Sequence, residues 1–320
     1  PIDLCTDKGI VVFNTPGANA NAVKEIVLAA LLMSSRGLFQ GANFVNSIEE
    51  SNQEELKPLI ESGKKSFKGR ELTGGTLGVV GMGAIGSKVA DMGVMLGMNV
   101  IGYDPAITVE AAWKLPNKVE RKESIEDVFK ESDYISLHVP ANDKTKGLIN
   151  SDLLKNAKKG LRLINFARDE IVVSKDIIES LDKSILSKYI TDFADLELIS
   201  RAKTASEVII LPHIGASTSQ AEENCSVMAA EQLDDFLNNG NIKNSVNFPE
   251  LIEPRPSEFR ITLSNKNHAG MIGKITTLLA DNKLNIIDMV NKSRGDIAYN
   301  VIDLETKPPE KVLVELSALD

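Results

Sequence analysis

A glycine-rich turn, Gly81-Met-Gly83-Ala-Ile-Gly86, lies between a short apolar run and a helical stretch, and this constrains the fold more than any other feature. Leu77–Val80 before it reads as a strand, Ile85–Leu96 as a helix, and Asn99–Tyr103 as a second strand ending at Asp104. A strand, a tight turn, a helix and another strand form a unit whose two strands must run parallel. Apolar runs recur at Tyr134–Val139, Leu161–Ile164, Tyr189–Thr191 and Val208–Leu211, with helical stretches between them. Near-continuous apolar strands alternating with helices predict a parallel sheet covered on both faces, the α/β doubly wound class. In such a sheet the functional loops gather at the carboxyl ends of the strands.

The spacing of the glycines has a chemical reading. Gly81 permits the tight turn, Gly83 lets another molecule approach the backbone, and Gly86 lets helix and strand pack closely. Amides at the start of the helix then face any phosphate placed there. Asp104 follows Gly86 by 18 residues, where a carboxylate would accept hydrogen bonds from a ribose and repel a 2′-phosphate. Together these features predict a Rossmann-type site for NAD in preference to NADP. A structural turn with a capping aspartate is the plainer alternative.

Several function classes are disfavoured by composition. The 320 residues carry 36 basic and 45 acidic side chains, a net charge of −9 that opposes general binding to nucleic acid. Cys5 and Cys225 form no disulfide framework and show no metal-ligand spacing, so no metal and a reducing, cytoplasmic setting are expected. No run has the length of a membrane span; the longest apolar one, Ile26–Met33, reads as a buried helix. No signal peptide is expected. The chain opens at Pro1 in a turn-like Pro-Ile-Asp-Leu, as though an N-terminal part of a longer protein precedes it. Ser219–Leu237 reads as one long helix, followed by a linker-like stretch with Pro249, Pro254 and Pro256. Beyond it, strand Phe259–Leu263, helix Met271–Asp281, strands Asn285–Asn291 and Ala298–Leu304 and a helix from Lys311 predict a βαββα series, one strand short of a ferredoxin-like unit.

Two further residues fall at carboxyl ends of predicted strands. His213 follows Val208–Leu211, where it could take a hydroxyl proton as an alcohol is oxidised. Arg168 follows Leu161–Ile164 through Asn165-Phe-Ala, where a guanidinium could bind a carboxylate bidentately. By position alone His213 could equally be a core histidine and Arg168 a surface ion-pair partner. Of the other two histidines, His138 reads as a packing or cofactor-edge residue and His268 as a loop residue.

Taken in order, Gly9–Pro16, Leu77–Gly86, Gly102–Pro105, Ser136–Pro140, Asn165–Arg168, Thr191–Phe193 and Pro212–Thr218 resemble the D-isomer-specific 2-hydroxyacid dehydrogenases. Within that family they look most like its phosphoglycerate-oxidising members, and Asn247-Phe-Pro249 adds to the likeness. The C-terminal unit is similar to a regulatory ACT domain through Asn267-His-Ala-Gly270. The resemblance implies a substrate-domain remnant at 1–18, an NAD-binding domain at 19–215, a return to the substrate domain at 216–250 and an ACT domain at 257–320. It implies that the family's first half-domain, with much of the phosphate pocket, lies outside this sequence. The implied reaction is NAD-dependent oxidation of 3-phospho-D-glycerate to 3-phosphohydroxypyruvate, opening L-serine biosynthesis. Other 2-hydroxy acids, a non-catalytic NADH-sensing scaffold and an amino-acid sensor are the rival readings.

Roles follow residue by residue from the resemblance. Arg168 matches the substrate-binding arginine, His213 the acid–base histidine, and Glu197 the glutamate that pairs with it, with Asp195 as the fallback. Asp192 matches the residue that holds the nicotinamide carboxamide, and Asn19 a substrate-contacting asparagine. The implied cofactor contacts are Gly81, Gly83, Ala84, Ile85, Gly86, Asp104, His138, Val139, Pro140, Thr145, Ala167, Asp192 and Gly215. Asn265, Asn267 and Asn285 occupy the effector positions, with L-serine the implied ligand. The usual Arg-Gly-Gly is Arg168-Asp169-Glu170 here, which puts two acids beside the arginine. A phosphorylated small-molecule substrate, no nucleic acid, no membrane and a homo-oligomer, dimer or tetramer, complete the expectation.

Overall fold

A computed structural model describes residues 1–49, 52–108, 112–113 and 115–319. The chain divides into two compact units, Asn19–Ala221 and Pro1–Ala18 with Glu222–Asp320.

The first unit is built on seven strands: β1 (Thr76–Val80), β2 (Asn99–Tyr103), β3 (Val119–Arg121), β4 (Tyr134–Leu137), β5 (Leu161–Asn165), β6 (Leu186–Thr191) and β7 (Val208–Ile210). They pair in the order β3-β2-β1-β4-β5-β6-β7, every pair parallel. The chain leaves β1 toward β2 on one side and returns to β4 on the other, so the order reverses between β1 and β4. Side-chain alternation divides the core. Leu77 and Val79 join Val27, Leu31 and Val89 on one face, from helices Ala20–Ser35 and Ala84–Met95. Val80, Ile135, Leu137, Leu161 and Leu163 join Val128, Phe129 and Ile177 on the other, from helices Ile125–Glu131 and Ser174–Asp182. Both faces are thus covered, as the apolar strand runs require.

The differences from expectation are local. β3 gave no sequence signal, because a three-residue edge strand carrying Glu120 and Arg121 has little apolar pattern to show. Ile26–Met33 lies in helix Ala20–Ser35, which buries Val23, Val27, Ala30 and Leu31 but leaves Leu32 exposed. It is amphipathic, not wholly buried. Pro1–Leu4, read as turn-like, enters a helix spanning Ile2–Asp7.

The second unit carries an antiparallel sheet of β8 (Phe259–Lys266), β9 (Ile286–Arg294) and β10 (Ile297–Leu304), with β10 in the middle. Helices Met271–Asp281 and Glu310–Ser317 cover one face around Ile275, Leu279, Ile302, Leu304 and Val312. Tyr299 and Val301 point to the other face, against Ile242, Phe248 and Leu251. The N-terminal segment is pinned to this unit by Asn247. Its Oδ1 accepts from the Val12 amide at 2.9 Å, and its Nδ2 donates to the Ile10 carbonyl at 2.9 Å. The proline stretch does not separate the units. Arg260 on β8 donates to the carbonyls of Glu253 and Pro254, which ties that stretch to the sheet. Among the described residues no helix is long and apolar enough to cross a membrane, and no cluster of acids, histidines and cysteines could hold a metal.

Candidate active site

The predicted site residues come from the carboxyl ends of β1, β2, β4, β5, β6 and β7, which a parallel sheet places along one edge. Gly81, at φ +92°, turns the chain out of β1 against β4; a Cβ there would sit 2.7 Å from the carbonyl of His138. A Cβ on Gly86 would lie 1.8 Å from the Gly81 oxygen, so only glycine lets the helix start so close to the strand. Gly83 differs, because a Cβ there meets nothing within 4 Å. It caps helix Ala84–Met95, whose first-turn amides have no acceptor within the helix. Open space in front of those donors is what a diphosphate needs.

Asp104 secures this turn. Its Oδ2 accepts from the Met82 amide at 2.8 Å and its Oδ1 from the Ala106 amide at 2.9 Å. Each carboxylate oxygen has a second lone pair for a ribose hydroxyl. Thr145 closes the loop after β4, donating to the Pro140 carbonyl at 2.5 Å and accepting from the Asn142 amide at 2.9 Å. Burial pushes the His138 imidazole down to about 3, so it stays neutral and is no proton shuttle near neutral pH. Its Nε2 bonds the Ser136 hydroxyl at 2.8 Å, while buried Nδ1 has no protein partner.

Asp192, at the end of β6, is nearly fully buried. Oδ2 accepts from the Gly215 amide at 2.8 Å, and the Asp192 carbonyl accepts from the His213 amide at 3.1 Å. Oδ1 is buried without a protein partner. Burial raises the Asp192 carboxyl above its ordinary range, with Gly215 and His213 opposing that effect. A buried acceptor without a donor costs free energy in the protein alone, and an amide-bearing ring presented at this edge would satisfy it. The glycine cradle and this orphan oxygen together fit NAD.

The loop carrying Arg168 is shaped by Asn165. Its Oδ1 accepts from the Ala167 amide at 3.1 Å, and its Nδ2 donates to the Arg168 carbonyl at 2.8 Å. Arg168 is exposed and has no carboxylate partner among the described residues. Phe166 and Gly215 approach closely, with a Cβ on Gly215 3.8 Å from that of Phe166, so the loops bearing Arg168 and His213 are neighbours. His213 is exposed, sits at φ +51° and meets Phe193 edge-on at 5.1 Å. Helix Ala20–Ser35 ends by accepting from Arg162 at the amino end of β5, through the Ser34 carbonyl at 3.0 Å. Its start, Asn19, therefore lies toward the carboxyl edge.

Not every expected partner meets. Glu197 makes no hydrogen bond or ion pair with His213 among the described residues; it is exposed in the first turn of helix Leu196–Thr204, beside Lys175 and Arg201. Asp195 is committed to capping that helix, accepting from the Leu198 amide at 2.8 Å and from the Ser174 hydroxyl. Besides Asp192, an exposed acid, Asp169, lies in the electrostatic field of His213. Its carboxyl is held below the usual range first by a hydrogen bond with Glu170 and further by His213. The three effector asparagines do not converge within one chain. Asn265 is buried, bonded to Asn300 at 2.7 Å, and Asn267 donates to Gly295 at 3.2 Å. Asn285 bonds Glu305 beyond the other end of β10, roughly 23 Å along the strand.

These features define an NAD-binding α/β domain with an exposed imidazole and an exposed guanidinium on neighbouring loops at one edge. Residues 28–215 match the family model described as D-isomer specific 2-hydroxyacid dehydrogenase, NAD binding domain. The chain therefore belongs to the D-isomer-specific 2-hydroxyacid dehydrogenases, a family dependent on NAD. It is 30% identical to a D-3-phosphoglycerate dehydrogenase of Haemophilus influenzae over 98% of this chain and 74% of the relative. Against the enzyme of the same name from Methanocaldococcus jannaschii it is 30% identical over 95% of this chain and 55% of the relative. Among solved structures, NAD⁺-bound 3-phosphoglycerate dehydrogenase of Entamoeba histolytica is similar with a TM-score of 0.59 and 32% identity, over 77% of this chain and 71% of that one. A D-2-hydroxyisocaproate dehydrogenase superposes with a TM-score of 0.64 at 26% identity, over 77% and 74%.

One prediction concerns the cradle alone. Gly83→Ala is expected to leave Tm within about 2 °C of the parent, because the added methyl meets no protein atom. NADH affinity is expected to fall about tenfold or more, or 1.4 kcal/mol, because the methyl fills the space in front of the helix amides. A fluorescence titration and a thermal melt check this together; undiminished affinity would place the diphosphate elsewhere.

Proposed function

We propose that the protein oxidises 3-phospho-D-glycerate to 3-phosphohydroxypyruvate with NAD, the reaction that opens L-serine biosynthesis. The observation that carries this reading is the adjacency of the Arg168 and His213 loops, beside a buried Asp192 oxygen that lacks a donor. The curated relatives named for this reaction, at 30% identity over nearly the whole chain, support the choice of substrate.

Arg168 binds the substrate carboxylate through two parallel N–H donors and polarises the developing carbonyl. His213 takes the hydroxyl proton as the C–H bond breaks and returns it in the reverse direction. NAD, when bound, accepts the hydride. Asp192 holds the His213 backbone through its carbonyl and leaves Oδ1 for the carboxamide. Asp169 supplies negative charge near the imidazole that becomes positive, a role the resemblance gave to Glu197. The same reading makes 257–320 a regulatory ACT unit with L-serine as effector, on the strength of its βαββα order.

Steady-state kinetics of the full-length protein on a panel of 2-hydroxy acids tests the substrate. 3-Phospho-D-glycerate is expected to give the highest kcat/KM, at least about tenfold above unphosphorylated acids, as expected where a bound phosphate contributes. Preference for lactate, glycerate or a branched acid would leave the dehydrogenase and remove this substrate.

A further inference from the structure

We propose that the amino ends of β5 and β6 form a second, non-catalytic site for a phosphorylated small molecule carrying at least two negative charges. A cavity of about 610 Å³ opens there, lined by Arg36, Lys68, Arg70, Arg162 and Lys188 and by no acidic side chain. Its size falls in the range of small-molecule sites. None of the five cations makes an ion pair among the described residues, although eleven other basic residues do. On a chain of net charge −9, five such cations around one hollow run against the average surface.

The arrangement is built, not accidental to flexible side chains. Arg162 and Lys188 are register partners on β5 and β6, so their side chains emerge side by side. Arg162 lies over the Tyr134 ring at 5.1 Å and donates to the Ser34 carbonyl at 3.0 Å. Lys188 donates to the Ser206 carbonyl at 2.6 Å. The loop carrying Lys68 and Arg70 is fastened to the one carrying Arg36. The Arg70 amide donates to the Ser35 carbonyl at 3.0 Å, and a Cβ on Gly69 would come within 2.2 Å of that oxygen. Burial lowers the Lys188 ammonium from its ordinary value, with Glu207 partly offsetting and Arg162 adding to that effect. Ser66 and Ser206 line the same hollow, whereas the buried Ser34 and Ser35 hydroxyls are committed to the Leu31 carbonyl. Clustered guanidinium and ammonium donors with no acidic side chain in the lining are the chemistry that takes a phosphate.

This hollow lies at the opposite end of β5 and β6 from Arg168 and Asp192, so its ligand does not compete with NAD. The test is calorimetric titration of the full-length protein with inorganic pyrophosphate, with NAD saturating so that the glycine cradle is filled. Saturable binding with Kd at or below about 1 mM is expected at about 50 mM salt, weakening as salt rises. Arg36→Gln with Lys68→Gln, both exposed and free of fold-holding side-chain bonds, is expected to weaken it at least about tenfold. Arg168→Gln is expected to leave it unchanged. No saturable heat in the parent up to about 10 mM, equal affinity in the double variant, or loss on Arg168→Gln would each overturn the proposal.

Discussion

His213→Asn is expected to cut kcat by about 10²- to 10⁴-fold, the range that a positioned acid–base group contributes, while NADH affinity stays within about twofold of the parent. Asparagine is the informative replacement because residue 213 sits at φ +51°, a backbone region that asparagine tolerates and alanine does not. The amides that fasten the loop, His213 to Asp192 at 3.1 Å and Gly215 to the Asp192 carboxylate at 2.8 Å, survive the change. A loss of rate with intact cofactor binding therefore reports missing proton transfer and not a collapsed loop. Single-turnover hydride transfer followed by NADH absorbance gives the rate. A variant as fast as the parent would show that the imidazole takes no part in the reaction, and the acid–base assignment would fall while the dehydrogenase activity stood.

Breaking the ion pair between Arg260 and Asp303 is expected to destabilise the second unit by about 3–5 kcal/mol. Both side chains are only 3% exposed, and the guanidinium meets the carboxylate in two bonds, Nε to Oδ1 at 2.9 Å and Nη2 to Oδ2 at 2.7 Å. Its remaining donors reach the carbonyls of Asn239, Glu253 and Pro254. Either Arg260→Leu or Asp303→Leu leaves a buried charge with no counterpart, which is the costly outcome. For a unit of this size the transition that belongs to it should fall by roughly 10–20 °C. The double leucine variant, with no orphaned charge, is expected to be less destabilised than either single variant. Denaturant melts of all three distinguish these cases. Single variants within about 1 kcal/mol of the parent would mean that water reaches the pair.

Most of the sheet was legible because each strand buried on both faces must be apolar along its length. Asn99–Tyr103 was read with its observed bounds, and β4 ran on in sequence only to Val139 where the structure stops at Leu137. The glycine turn was legible for the same kind of reason: close backbone approach leaves one residue type. What failed to show was anything that depends on orientation. Glu197 stands at the family's spacing from Asp192, yet it is exposed in the first turn of its helix and lines a surface hollow with Lys175 and Arg201. Asp169 lies next to Arg168 in sequence, and only the fold puts it in the field of His213. Asn265 and Asn285 look alike on paper, but the first is on β8 beside the start of β10 and the second precedes β9 beside its end, at opposite ends of the sheet. The basic hollow draws residues from position 36 to position 188, and no local pattern announces it.

The double use of Asp192 has a consequence for anyone redesigning this protein. One residue steadies the perch of the imidazole through its main-chain carbonyl, fastens the Gly215 amide through Oδ2 and, in the function proposed above, would offer its spare oxygen to the nucleotide. Substituting its side chain would therefore also release the Gly215 amide, two residues beyond His213. Cofactor choice is better altered from the β2 side, at Asp104, where changes touch the glycine turn and leave the histidine in register.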